Sequence, residues 1–377
     1  MIKKKHFLLF ILIFGAAAQL GTTLLAESPL LQTYQLNPTL SMQNRIVMAP
    51  MTRCSSTQDH VPTEAMVGYY SSRGDAGMII SEATMVDKDA TGYPCTPGVY
   101  NSVQIEAWKK IVDQVHQKGG LFFVQLWHAG MMSHPIYREG KTPIASSKII
   151  PLNKKIPRTE GSLEYGYAKE MDLDEIQQVK ETFIQAALNA RKAGFNGVEL
   201  HAANGYLIDE FLHYNTNHRT DRYGGSPEKM VSFLLEIVDG IVEKISKDRV
   251  GVRLSPIPLP SMNNLVEDSR DEAVFSLLLR ELEKRKIAYV HLSSDNDVKD
   301  CGFLNRPVTT FIREHYKGTL IGCGSYTIET AEEAINKGQF DLIAFGRLFI
   351  SNPFLIQSIR NGETVNNFNP ADLQSLK

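Results

Sequence analysis

The chain has 377 residues, 43% hydrophobic and 22% charged, an ordinary globular composition with enough length for a large core. A formal net charge of -2 without a basic stripe argues against nucleic acid as a partner. Four cysteines lacking CxxC spacing, and histidines lacking an HExxH pattern, argue against zinc, an iron–sulfur cluster or a disulfide scaffold, so no metal is assigned.

The N-terminus stands apart from the rest. Three lysines, an apolar run from Phe7 to Ala18 and small residues before Ala26 have the layout of a secretory signal. The run falls short of the ~20 apolar residues that a membrane span needs. Residues 1–26 are therefore read as a signal peptide or N-terminal anchor, and 27–377 as one domain. The expected location is periplasmic or secreted; a membrane-anchored or cytoplasmic protein is the alternative.

From Asn44 onward, short apolar runs alternate with longer amphipathic ones. The strand candidates are Arg45–Met48, Met78–Ser81, Leu121–Leu126, Gly197–Leu200, Val250–Leu254, Tyr289–Leu292, Leu320–Ile321 and Leu342–Phe345. Between them lie stretches such as Asp172–Ala193, with Ile176, Val179, Phe183, Ala187 and Ala190 at helical spacing. Asp172 suits the start of that helix and Gly194 its end. Strand then helix, about eight times over, predicts an α/β fold of the (β/α)8 barrel type. A doubly wound open sheet competes, but no GxGxxG opens a first helix. The polar, Pro- and Gly-containing stretch from Ala129 to Ala168 follows the third strand and reads as a lid or wall of the site.

Barrel chemistry collects at the C-terminal ends of the strands. Those ends carry "MAPMT" (Met48–Thr52), "SEA" (Ser81–Ala83), Gln125, His201 to Tyr206, Arg253, "GCGS" (Gly322–Ser325) and "FGR" (Phe345–Arg347). The glycines of "GCGS" let backbone N–H groups close on a phosphate at the N-terminus of a helix beginning near Thr327. Arg347, one unit later, can reach the same anion, although a GxG before a helix is more often a simple turn. Thr52 and Gln125 offer hydrogen bonds to a flat heteroaromatic ring, Pro50 and Ala83 a compact wall, and Arg253 a positive charge. The alternatives are an ion pair across the barrel mouth for Arg253 and a packed, hydrogen-bonded role for His201.

Together these segments resemble the old yellow enzyme family of FMN-dependent ene-reductases. The resemblance is carried by "NRIVMAPMTRCS" (Asn44–Ser55), "YYSSRGDAGMIISEAT" (Tyr69–Thr84), "GYPCTPGVY" (Gly92–Tyr100), "VQLWHAG" (Val124–Gly130) and "HAANGYLIDEFL" (His201–Leu212). It continues in "NHRTDRYGGS" (Asn217–Ser226), "GVRLSP" (Gly251–Pro256) and "AFGRLFISNP" (Ala344–Pro353).

By position, the resemblance implies that Pro50, Thr52, Ala83, Gln125 and Arg253 hold the FMN ring, and that Gly324, Ser325, Gly346 and Arg347 hold its phosphate. It implies that His201 and Asn204 bind a substrate oxygen, that Tyr206 supplies a proton and that Tyr93 lines the substrate. NADH or NADPH is the implied reductant, and a small activated alkene the implied partner. Nitro or nitroester reduction on the same site, or a non-catalytic flavin-binding barrel, are the competing functions. Monomer and homo-oligomer both remain open. The "NHRTDRYGGS" loop is read as structural, with its Arg and Asp bridging backbone and Ser226 capping the next helix. Cys323 and Ser325 stand where the family usually has Asn and Gly.

Overall fold

The computed structural model describes residues 28–153, 155–156, 163–258 and 265–376, so the N-terminal signal candidate lies outside the described residues. Eight parallel strands form a closed ring: β1 (Ile46–Met48), β2 (Met78–Ile80), β3 (Leu121–Trp127), β4 (Gly197–Ala202), β5 (Val250–Leu254), β6 (Tyr289–Leu292), β7 (Leu320–Gly322) and β8 (Leu342–Phe345). Each pairs with its sequence neighbours, and β8 returns to β1 through Phe345 opposite Met48. All eight predicted strands are present, with ends moved by one or two residues. β3 and β4 run further than predicted because Trp127 finds a partner in Met85, and Ala202 one in Leu254.

The helices that follow the strands in turn are α1 (Glu64–Ser71), α2 (Ser102–His116), α3 (Leu173–Lys192), α4 (Ser232–Ile245), α5 (Asp271–Arg285), α6 (Val308–His315), α7 (Ile328–Asn336) and α8 (Arg347–Ser351). α3 shows why these stretches are helical. Asp172 accepts from the Glu175 N–H while the Glu175 side chain accepts from the Asp172 N–H, satisfying two donors that the helix start leaves open. Ile176, Val179, Phe183, Ala187 and Ala190 then form the buried stripe. Asn101 with Gln104 and Thr327 with Thr330 make the same reciprocal caps on α2 and α7.

Inside the ring, alternate strand residues point inward. An N-terminal hairpin, Tyr34–Asn37 with Leu40–Met42, adds Leu36, Leu40 and Met42 to the inner cluster of Val47, Met78, Phe123, Tyr289, Ile321 and Leu342. Glycine is required where rings cross this space: a Cβ on Gly251 would sit 2.2 Å from the Tyr289 ring. Further along the strands the inner layer turns polar. Gln125, Glu199, His201, Arg253 and His291 are all buried there. This change from apolar to polar filling locates the chemistry at the C-terminal end of the barrel.

Candidate active site

Glu199, two residues before His201 on β4, shares its inward face, as strand periodicity demands. Its carboxylate accepts from Gln125 Nε2 on β3 (2.8 Å) and lies 2.8 Å from His291 Nδ1 on β6. Burial and the Arg253 charge lower the pKa of His291, with the Glu199 carboxylate opposing them. Arg253, from β5, forms no ion pair with any described residue; its Nη2 is 3.8 Å from Cys323 Sγ. The cross-barrel ion pair is therefore absent among the described residues. The buried Arg253 Nε, His201 Nδ1, His291 Nε2 and Trp127 Nε1 have no hydrogen-bond partner among the described residues. Buried polar atoms are normally satisfied. Four such atoms on strands β3 to β6 suit a polar, hydrogen-bonding ring system.

Above that floor, an aromatic wall is built. Tyr93 stacks on Trp127 with centroids 5.6 Å apart and planes 5° from parallel. Tyr206 meets Trp127 edge-on at 5.3 Å and the His201 ring at 4.8 Å. The Tyr93 and Tyr206 hydroxyls are 2.8 Å apart, one donating to the other. Burial, reinforced by the Arg253 charge, holds the His201 pKa well below the ordinary imidazole value. At neutral pH His201 is thus an uncharged ring with one N–H to give.

Asn204 follows β4 in the left-handed region, φ 65°, which Asn tolerates better than most residues. Asp209 fixes this turn: its Oδ2 accepts from the Gly205 N–H (2.8 Å) and from Ser255 Oγ (3.3 Å). Behind it His213 is buried between Asp209 (3.3 Å) and Asp271 (2.7 Å).

On the opposite side lie "GCGS" and "FGR". Gly324 and Gly346 are half-buried, while Ser325 and Arg347 are exposed. α7 begins where expected, with Thr327 as its cap, and Arg347 opens α8. Ser325 takes φ 60°, a left-handed conformation that costs an ordinary L-residue about 1–2 kcal/mol and glycine almost nothing. The Cys323 N–H already donates to Asp297 Oδ2 (3.1 Å), and the Tyr326 hydroxyl donates to the other oxygen of that carboxylate. The remaining loop donors and Arg347 suit a phosphate at the rim.

Pro50 and Ala83 are buried and Thr52 half-buried at the ends of β1 and β2. Glu82, the middle residue of "SEA" and given no role from sequence, is wholly buried and accepts from the Arg53 and Cys54 N–H groups at 3.0 and 3.2 Å, holding the "MAPMTRC" loop. Burial pushes its pKa up to about 7. Glu210 does the same for the segment after β3, accepting from the Met131 (2.6 Å) and Ser146 (2.9 Å) N–H groups. Gly130 has φ 60°, and a Cβ there would lie 2.1 Å from Glu210 Oε1, so only glycine fits. The "NHRTDRYGGS" loop is structural: Arg219 donates to the Ser146 and Met171 carbonyls and forks onto Asp221. Ser226 occupies a helix N-cap but makes no side-chain capping bond; the Pro at the next position removes one N–H in need of a partner.

Neither Glu82 nor Glu210 carried a sequence signal, because both bind main-chain N–H groups of distant residues. Glu199 did carry one, its period-two spacing from His201.

The sequence pattern of the NADH:flavin oxidoreductase / NADH oxidase family matches residues 30–366. 12-oxophytodienoate reductase 7 of Oryza sativa subsp. japonica is 38% identical over 363 residues, 91% of this chain and 90% of that protein. 12-oxophytodienoate reductase 2 of Arabidopsis thaliana is 38% identical, covering 90% of this chain and 91% of its own. Among solved structures, the old yellow enzyme homologue from Zymomonas mobilis superposes with a TM-score of 0.83 at 37% identity, covering 91% of this chain and 96% of its own. Morphinone reductase in complex with tetrahydroNAD gives 0.82 at 38% identity, covering 91% and 93%. The chain belongs to the NADH:flavin oxidoreductase / NADH oxidase family, the old yellow enzymes, and is an NAD(P)H-dependent FMN oxidoreductase.

Proposed function

We propose that the protein reduces the C=C bond of small activated alkenes, α,β-unsaturated carbonyls and nitroalkenes, with a nicotinamide and the alkene using one site in turn. The observation that carries this reading is the hydroxyl pair of Tyr206 and Tyr93 set beside a neutral, buried His201 at the barrel mouth. FMN, when bound, supplies the hydride chemistry. The chain supplies binding, polarisation and a proton.

Pro50, Thr52, Ala83, Gln125 and Arg253 would hold the ring. Gln125, its Nε2 engaged by Glu199, would meet a ring N–H with its carbonyl oxygen. Arg253 places a fixed charge where the ring gains electron density. Gly324, Ser325, Gly346 and Arg347 would hold the phosphate. His201 and Asn204 donate to the carbonyl or nitro oxygen and stabilise the enolate-like charge that develops there. Tyr206 gives its hydroxyl proton to the α-carbon, and Tyr93 keeps that hydroxyl in place.

The donor pair is tested with phenols, whose phenolate oxygen imitates the enolate. Replacing both His201 and Asn204 with Ala is expected to weaken phenol binding by ~1.5–3 kcal/mol for each lost charge-assisted bond. An unchanged phenol titration of the flavin spectrum removes their role. The phosphate assignment predicts that FMN binds far better than riboflavin, and that Arg347→Ala lowers FMN content while the barrel stays folded. Equal affinities for the two flavins, by fluorescence quenching, overturn it.

We further propose export by the N-terminal segment, on the strength of its lysines, apolar run and small residues before Ala26. Among the described residues no helix is long and apolar enough to cross a membrane. Residues 1–30 fused to a reporter active only outside the cytoplasm are expected to give signal. A silent reporter with soluble cytosolic protein excludes export.

A further inference from the structure

Asn204 is held by two serines from two neighbouring strands. Ser255, directly after β5, accepts the Asn204 backbone N–H on its Oγ at 2.9 Å. Ser293, directly after β6, donates its hydroxyl to Asn204 Oδ1 at 2.9 Å. Both serines are buried, and the Ser293 N–H is itself fixed to the Leu254 carbonyl at 2.8 Å, so its hydroxyl projects from a rigid strand end. The first contact secures the left-handed backbone of Asn204. The second acts on the side chain alone.

A carboxamide presents an acceptor on one side and two donors on the other, and rotation about χ2 by half a turn exchanges them. Without a partner on Oδ1, the two orientations compete and the donor face meets the ligand only part of the time. A hydroxyl hydrogen-bonded to the amide restrains that rotation, and in this structure it donates to Oδ1.

We propose that Ser293 is a positioning residue: its hydroxyl holds the Asn204 amide in the orientation seen here, with Oδ1 on Ser293 and N–H turned to the ligand. The inference rests on the assignment of Asn204 as a ligand donor. It sets the ligand class more narrowly, to groups that present an acceptor oxygen beside His201, such as a carbonyl, a nitro group or a phenolate. A ligand presenting N–H at that point, such as an aniline, would meet two donors and no acceptor. Ser293 has no reacting atom to touch; it acts through Asn204.

The test is a double-mutant cycle on the FMN-loaded protein, read by titrating 4-hydroxybenzaldehyde against the flavin absorbance, with melting temperature and flavin content measured in parallel. Ser293→Ala is expected to weaken the phenol several-fold, and Ser293→Thr, which keeps the hydroxyl, to retain most of the parent affinity. In the Asn204→Ala background, Ser293→Ala is expected to cause no further loss, since its target is gone. A merely structural role gives losses that add in the two backgrounds and follow the melting temperature.

If Asn204→Ala weakens the phenol but Ser293→Ala does not, or if their effects add, the inference about Ser293 fails and the donor assignment stands. If Asn204→Ala itself leaves the phenol unaffected, the donor assignment fails and the inference falls with it. The same titration with 4-aminobenzaldehyde gives an independent check: Ser293→Ala is expected to narrow the preference for phenol over aniline. An unchanged ratio counts against an amide fixed by Ser293.

Discussion

Tyr206→Phe is expected to separate the two halves of the catalytic cycle. The substitution removes the hydroxyl and keeps the ring, so the contacts with Trp127 and His201 survive. The hydroxyl is assigned only to proton delivery during alkene reduction, a step absent when a nicotinamide bleaches the flavin. Bleaching by NADH or NADPH should therefore proceed nearly as fast as in the parent protein. Recolouring by 2-cyclohexenone should slow by about 10²–10⁴-fold, the usual range for losing a general acid. Nitroalkenes should suffer less, because a nitronate is stable enough to leave and take its proton from water. Anaerobic stopped-flow on both halves decides the matter. If both slow together, Tyr206 shapes the shared volume; if neither slows, the proton comes from another group.

The hydroxyl pair adds a constraint to this result. Only one of Tyr206 and Tyr93 can donate within their 2.8 Å contact. When Tyr93 donates, Tyr206 is the acceptor of the pair and does not spend its own proton on that contact. Burial keeps the neighbouring imidazole of His201 uncharged, so it contributes an N–H without competing as a stronger acid. On the proposed function, the site divides the labour between neutral donors that polarise and a phenol that protonates.

The barrel and most of this site are legible in the sequence for two physical reasons. Strands buried on both faces read as continuous apolar runs, and "VMAP", "LFFVQLW" and "YVHL" are such runs. Polar residues near the C-terminal ends of those runs stand out against them, so His201, Gln125 and Arg253 announce themselves by position. Contacts that join distant segments through main-chain atoms leave no such mark. Glu82 on the β1 loop and Glu210 on the segment after β3 belong to that class, and the side-chain contact of Ser293 with Asn204, 89 residues away, is equally silent. Asp209 and His213 also lie in "GYLIDEFLH" without a chemical signature, since their partner Asp271 stands at the head of α5, 58 residues away from His213.

That last cluster carries the largest expected effect on stability. His213 is fully buried with Asp271 at 2.7 Å and Asp209 at 3.3 Å. Burial alone would lower its pKa, but the two carboxylates outweigh burial and push it up to about 10. At neutral pH it is an imidazolium shared by two buried acids. His213→Ala leaves both without their cation, and breaking a buried pair in this way costs about 3–5 kcal/mol. Because Asp209 also holds the Gly205 N–H, the damage should extend to the Asn204 turn, giving weaker phenol binding along with a lower melting temperature.

The pH dependence has a definite sign. The folded pKa of His213 lies above the unfolded value of about 6.5, so its contribution is complete below that pH. It is then lost as pH rises from there toward about 10. Urea unfolding of parent and variant at pH 6 and pH 9 should therefore show a large difference at the lower pH and a much smaller one at the higher. A gap that stays constant between the two would mean that His213 is held neutral, and that the buried acids are satisfied without its charge.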